Sequence, residues 1–153
     1  MACRSGNEAL VKYLIEELGI DINKANKNGE TLLFEACKNR NETVIKYLVE
    51  HGADVNKEKW NGETPLFWAC YEGNEAIVKY LVEHGTDINK EFEYSETPLI
   101  IAYYKGNEAI MKYLVEQGAD INKENWRGET LLSFAKKKGN ETLIKYLIEN
   151  GAK

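Results

Sequence analysis

Lys59-Trp60-Asn61-Gly62-Glu63-Thr64-Pro65-Leu66-Phe67-Trp68-Ala69-Cys70-Tyr71-Glu72-Gly73, running on from Asn74 to Glu91, holds one complete structural unit. Asn61-Gly62 predicts a tight hairpin turn, because both residue types tolerate positive φ. Thr64 is a good N-cap and Pro65 a good first helical residue, having no N–H to leave unsatisfied. Gly73 can end that short helix in a left-handed conformation, and Asn74 can cap a second, antiparallel one. In the second helix Ile77, Val78, Tyr80, Leu81 and Val82 make an apolar face, while Glu75 and Lys79 pair four residues apart on the solvent side. Gly85 closes it, and Asp87-Ile88-Asn89 supplies side chains for loop backbone.

Outward from this unit the pattern repeats. Asn-Glu followed by Lys-Tyr-Leu recurs at Asn7, Asn41, Asn74, Asn107 and Asn140, at spacings of 34, 33, 33 and 33 residues. A fixed period of this size means stacked repeats, each burying its apolar face only against a neighbour, in an elongated solenoid with a broad surface. The turn recurs at Asn28-Gly29 and Arg127-Gly128, and the closing glycine at Gly19, Gly52, Gly118 and Gly151. Asn23, Asn56, Asn89 and Asn122 are expected to tie each repeat to the next. The Glu/Lys pairs at Glu8/Lys12, Glu42/Lys46, Glu108/Lys112 and Glu141/Lys145 are expected to be solvated helix support worth a few tenths of a kcal/mol each.

Taken together, Gly-Glu-Thr-Pro-Leu, Ala-Cys-Tyr-Glu-Gly-Asn and Val-Lys-Tyr-Leu-Val-Glu-His-Gly-Thr-Asp-Ile-Asn resemble the ankyrin repeat over nearly the whole chain. The resemblance implies an all-α solenoid of helix–loop–helix units joined by β-hairpin-like loops. It also implies protein binding through a concave face of hairpin tips and first helices. The expected division is a single domain, 1–153, with repeats at 1–25 (partial), 26–58, 59–91, 92–124 and 125–153, the last a C-terminal cap. Departures are Phe34, Phe67, Ile100 and Ser133 in place of the family's usual His, Leu32 and Leu131 in place of the proline, and Arg40 in place of a helix-ending glycine. Ser133, Lys136 and Lys138 give the last repeat a polar outer face. At the other end Met1 falls inside a first helix that lacks its Thr-Pro-Leu segment, and one extra residue lies between Leu14 and Gly19. That pattern suggests a piece of a longer array, with an N-terminal edge frayed or covered by another molecule.

Composition narrows the function. The 153 residues are 43% hydrophobic and 29% charged, enough for one soluble domain. A net charge of −5 argues against nucleic acid, which demands a concentrated basic face. No apolar run reaches the roughly 18 to 20 residues that cross a bilayer, and the N-terminus does not read as a signal peptide. An intracellular, cytoplasmic monomer is expected. Cys3, Cys37 and Cys70 share one register position, too far apart to bridge, and are expected to be free thiols used for packing.

Chemistry finds little to stand on. His51 and His84 occupy equivalent helix ends a repeat apart and cannot share a metal ion. No phosphate loop, nucleophile elbow or Cys-x-x-Cys pair is present, so no enzyme, cofactor or metal is expected. The sequons Asn41-Glu42-Thr43 and Asn140-Glu141-Thr142 read more simply as helix caps.

Superposing the repeats separates framework aromatics from variable ones. Tyr13, Tyr47, Tyr80, Tyr113 and Tyr146 recur in every copy, and Phe34 and Phe67 are expected in the core. Trp68 could pack or be exposed. Trp60, Tyr71, Tyr94, Tyr104 and Trp126 lie at hairpin tips and first-helix ends, where the resemblance implies a partner-binding face, and such aromatics dominate binding hot spots. The other possibility for Trp60 and Trp126 is that they cover neighbouring hairpins. Glu30, Glu63, Glu96 and Glu129 form a second row, one per hairpin, that would steer a basic ligand. Phe92 to Glu96 is the least regular segment, with Ser95 where other tips have glycine.

The expected function is therefore non-catalytic binding of a protein or peptide, possibly a basic one. The alternatives are a structural spacer, a fragment of a longer regulatory protein or an engineered scaffold with no ligand here. A weaker one is a substrate for asparagine hydroxylation at Asn23, Asn56, Asn89 and Asn122, as in resembling repeats.

Overall fold

A computed structural model describes residues 8–153. Met1 to Asn7, including Cys3 and the truncated first helix of the first repeat, lie outside the described residues. The described chain holds α1 (Glu8–Glu16), then four helix pairs: α2 (Leu32–Lys38) with α3 (Glu42–Glu50), α4 (Pro65–Glu72) with α5 (Glu75–Glu83), α6 (Pro98–Tyr104) with α7 (Glu108–Glu116), and α8 (Leu131–Lys138) with α9 (Glu141–Glu149). A tight turn, Glu93–Ser95, lies in the fourth hairpin. Among the described residues there is no β-sheet, only an isolated Phe92–Glu96 bridge. The all-α repeat solenoid expected from the period is what forms.

Helix starts follow from single side chains. Thr31, Thr64, Thr97 and Thr130 each accept a hydrogen bond from the backbone N–H three residues on, at 3.2, 3.2, 3.4 and 3.3 Å. These satisfy donors that water cannot reach beside buried helices. Asn41, Asn74 and Asn140 do the same for the second helices at 3.2, 3.1 and 3.0 Å. Asn107 is the exception: its amide instead donates across the stack to the Cys70 carbonyl at 3.1 Å.

The recurrent Leu of Lys-Tyr-Leu explains its own repetition. Leu48, Leu81, Leu114 and Leu147 are fully buried, and truncating one such leucine typically costs about 2 to 5 kcal/mol. The lysine in the same phrase does more than hold a glutamate. Lys12, Lys46, Lys79 and Lys112 each place an ammonium 5.3 to 5.9 Å from the ring of the next repeat's tyrosine, Tyr47, Tyr80, Tyr113 and Tyr146. The helix pairs Glu8–Lys12, Glu75–Lys79 and Glu108–Lys112 form. Glu42 instead accepts from Asn74, and Lys145 pairs with Glu149.

The loop asparagines bind repeat to repeat as expected. The Asn23 amide donates to the Gly52 carbonyl at 3.0 Å, and its oxygen accepts from the Asp54 N–H at 2.7 Å. Asn56 makes the same pair with Gly85 and Asp87, and Asn122 with Gly151 and Lys153. Asn89 accepts from the Asp120 N–H at 2.7 Å.

Cys37 and Cys70 are free and buried, and burial pushes both thiols far up from their usual value. His51 and His84 each donate from Nδ1 to the carbonyl four residues back, at 2.7 Å, and lie on Tyr47 and Tyr80. The extra residue after Leu14 is absorbed at the end of α1, where the Leu18 N–H reaches back five residues to the Tyr13 carbonyl. Leu10, Tyr13, Leu18 and Ile20 are exposed along that edge. Arg40 takes the left-handed φ of 56° that its glycine equivalents take, and its guanidinium bonds the Glu72 carboxylate at 3.1 Å.

Candidate functional site: the hairpin and first-helix side

The turns are built differently from the expected Asn-Gly pair. Gly29, Gly62 and Gly128 have φ of 80°, 82° and 69°, but Asn28, Asn61 and Arg127 do not take positive φ. In each, the glycine N–H closes a turn onto the carbonyl three residues back, and the residue after it closes the hairpin. The fourth hairpin is displaced by one position. Tyr94 and Ser95 both take positive φ, 64° and 54°, and the turn closes from the Glu96 N–H to the Glu93 carbonyl. The Tyr94 carbonyl is thereby free to accept from the Trp126 N–H of the next hairpin at 3.0 Å. A non-glycine residue at positive φ costs about 1 kcal/mol or more. Phe92 anchors the strained turn: it is buried and meets Phe67 edge-on at 4.5 Å.

Trp60, Tyr71, Tyr94, Tyr104 and Trp126 are 82, 39, 64, 46 and 58% exposed. They do not form one continuous sheet of rings. Tyr94 and Trp126 pair at 5.9 Å, with the Arg127 guanidinium 4.5 Å from the Trp126 ring. Tyr104 packs edge-on to Phe134 at 5.4 Å. Tyr71 lies beside Phe67 and Trp68, and the Lys105 ammonium is 3.4 Å from its ring centre. Trp60 leans on the preceding hairpin, since a Cβ on Gly29 would be 3.0 Å from Trp60 Cδ1.

Trp68, undecided from sequence, is a strut. Its Nε1 donates to Glu63 at 3.0 Å, its ring meets Phe34 and Phe67 edge-on, and Lys38 lies 5.0 Å over it.

The four glutamates divide. Glu30 is only 8% exposed, accepts from the Asn26 amide at 2.9 Å and has Lys38 at 4.0 Å. The Asn26 hydrogen bond, above all, holds its pKa below the ordinary carboxylate value against the opposing effect of burial. Glu63 accepts from Asn61, Trp68 and Lys59 at 2.7, 3.0 and 3.4 Å. Glu129 accepts from Lys137 and from Asn125, and those bonds hold its pKa down as well. Glu96 has no such donor among the described residues. Burial raises its pKa above the ordinary carboxylate value, and its charge acts on Tyr104, whose hydroxyl pKa is pushed up first by burial and then by Glu96, against a hydrogen bond to Asn125.

Sequence reasoning missed Lys38, Lys105, Tyr103 and Phe134 on this side. A usable signal was present: the register position occupied by Lys38, Tyr71, Tyr104 and Lys137 reads Lys, Tyr, Tyr, Lys, and the lysines pair with the hairpin glutamates of their own repeats.

Among the described residues no group of three or more His, Cys, Asp or Glu could hold a metal ion, and no helix is long and apolar enough to cross a membrane. A family model described as ankyrin repeats (3 copies) matches residues 1–92 and 90–153. No curated protein matches the sequence.

Proposed function

The chain belongs to the ankyrin-repeat family, and we propose that it is a non-catalytic module that grips a protein or peptide on its hairpin and first-helix side, within the cytoplasm. Ankyrin repeats are generally protein–protein interaction modules. One observation supports locating the grip here: Trp60, Tyr71, Tyr94, Tyr104 and Trp126 are exposed at positions that the repeat leaves free, whereas Phe34 and Phe67 are buried and, of the framework tyrosines, Tyr47 is buried, Tyr80, Tyr113 and Tyr146 are half-buried and Tyr13 is exposed at the N-terminal edge. Aromatic side chains held on rigid hairpins bring large contact area at low cost in conformational entropy. Glu30, Glu63 and Glu129, already bonded within their own repeats, contribute field rather than contacts, and with the net charge of −5 they favour a basic partner.

The test replaces Trp60, Tyr94 and Trp126 together by Ala and measures binding of peptides selected against the parent protein from a displayed random library. Loss of binding with an unchanged helical circular dichroism signal is expected. Equal affinity in the triple variant would show that this face is not the grip.

A further inference from the structure

Glu96 stands at a position where the three equivalent carboxylates are all satisfied within their own repeats. The donors that hold Glu63 are Lys59, Asn61 and Trp68, and in the fourth repeat those register positions carry Phe92, Tyr94 and Ile101. The donors that hold Glu30 and Glu129 are Asn26 with Lys38 and Asn125 with Lys137. Those positions carry Phe92 and Tyr104. Each substitution replaces an amide, ammonium or indole N–H by an apolar or phenolic group, and among the described residues no side chain hydrogen-bonds or ion-pairs with Glu96, so a half-buried carboxylate is left near the Tyr104 hydroxyl with no cation of its own.

The neighbouring slots show what such a site takes. Between the second and third repeats Lys38 lies 5.0 Å over Trp68, and between the third and fourth Lys105 lies 3.4 Å over Tyr71. Between the fourth and fifth, Tyr103, Tyr104 and Phe134 pack together, and among the described residues no cation covers them. Arg127, the nearby cation on the fifth hairpin, is stacked on Trp126 at 4.5 Å.

We propose that Glu96, with the Tyr104 ring beside it and the Tyr94–Trp126 pair at the rim, is a subsite for one lysine or arginine side chain of the partner. This rests on the hairpin side being the binding face. A cation there gains the carboxylate as a charge-assisted partner and an aromatic face at once. It also relieves the cost of a carboxylate that is half-buried without donors. The free protein is correspondingly held below the stability it would have with a neutral group at this position.

The experiment uses N-acetyl-arginine-methylamide and N-acetyl-lysine-methylamide as probes, with N-acetyl-norleucine-methylamide as the uncharged control, titrated into the isotope-labelled protein and followed by amide and indole resonances. Saturable shifts centred on residues 94 to 96, Tyr104 and the Trp126 indole are expected for both cations, with dissociation constants on the order of millimolar. Glu96→Gln should weaken them roughly tenfold while raising the melting temperature, and Glu96→Asp should retain part of the binding. Arg127→Gln should not weaken them. No shifts, equal shifts with the norleucine probe, or shifts that survive Glu96→Gln would overturn the subsite. Displayed peptides that lose binding in the Trp60, Tyr94 and Trp126 variant but not in Glu96→Gln would overturn it while leaving the binding face intact.

Discussion

Glu30 and Glu96 occupy one register position in different repeats, and their surroundings give them opposite effects on stability. The Asn26 amide holds Glu30 below the ordinary carboxylate value, so its contribution is fully present above that value and is lost as pH falls through the folded one. Burial holds Glu96 above it, so the folded chain binds this proton more tightly than the unfolded chain, and ionising Glu96 removes stability as pH rises past the ordinary value. Thermal melts between about pH 3 and pH 7 should therefore separate two neutral substitutions. Glu30→Gln should destabilise at pH 7, with the gap to the parent closing as the medium becomes acid. Glu96→Gln should stabilise at pH 7, with its gap closing in the same direction. Parallel curves for the two variants would show that the donors around Glu30 and their absence around Glu96 do not matter energetically.

Hairpins show the next scale, where close approach of one element to the next adds to the conformational demand of each. A Cβ at Gly62 would lie 3.1 Å from Phe92 Cα and 3.4 Å from the Glu91 carbonyl, whereas at Gly128 it would meet only Glu124 Oε2 at 3.9 Å. Both glycines have positive φ, so both alanine variants carry the left-handed penalty of about 1 kcal/mol, partly offset by the reduced entropy of the unfolded chain. Gly62→Ala adds a clash with backbone that cannot swing away, and urea unfolding should find it at least about 1 kcal/mol more costly than Gly128→Ala. Equal losses would mean that the hairpins do not pack as closely as their backbones indicate. Much at this scale was legible in the chain: Thr-Pro starts, Asn caps and closing glycines each act through a backbone group a fixed few residues away. The exposure of five aromatics was legible too, by subtracting what the repeats share, but not their division into separate groups. Less legible were features that depend on distance through space. Lys38 reaches Glu30 across eight residues, Lys12 lies over the ring of Tyr47 in the next repeat, and the fourth turn shifts by one residue because Phe92 is drawn into the core against Phe67. None of these follows from local propensity, because in each case a neighbouring repeat or a returning helix supplies the partner.

Across the whole molecule, stability passes through the joints between repeats, since each unit touches only its neighbours. The apolar surfaces at the joints resemble one another, and each joint has one loop asparagine whose side chain hydrogen-bonds across it. Asn56 bridges to Gly85 and Asp87 at 3.1 and 2.7 Å, and its oxygen also lies 3.3 Å from the Thr86 hydroxyl. Asn122 makes the equivalent pair with Gly151 and Lys153 at the end of the chain. At a net value near 1 kcal/mol per hydrogen bond, with both loops reached by solvent, Asn56→Ala and Asn122→Ala should each cost about 1 to 2 kcal/mol at their joints. Their consequences for the molecule differ by position. Weakening the terminal joint releases only the last residues, so amide exchange should rise near residues 148 to 153 and the main transition should stay cooperative. Weakening this inner joint divides the stack into two parts, the three helices before it and the six after it, so Asn56→Ala should broaden or split the thermal transition and raise exchange on both sides of the joint. A single sharp transition shifted equally by both variants would mean that coupling between repeats is carried by the buried leucine rows, with the asparagine bridges adding only local order.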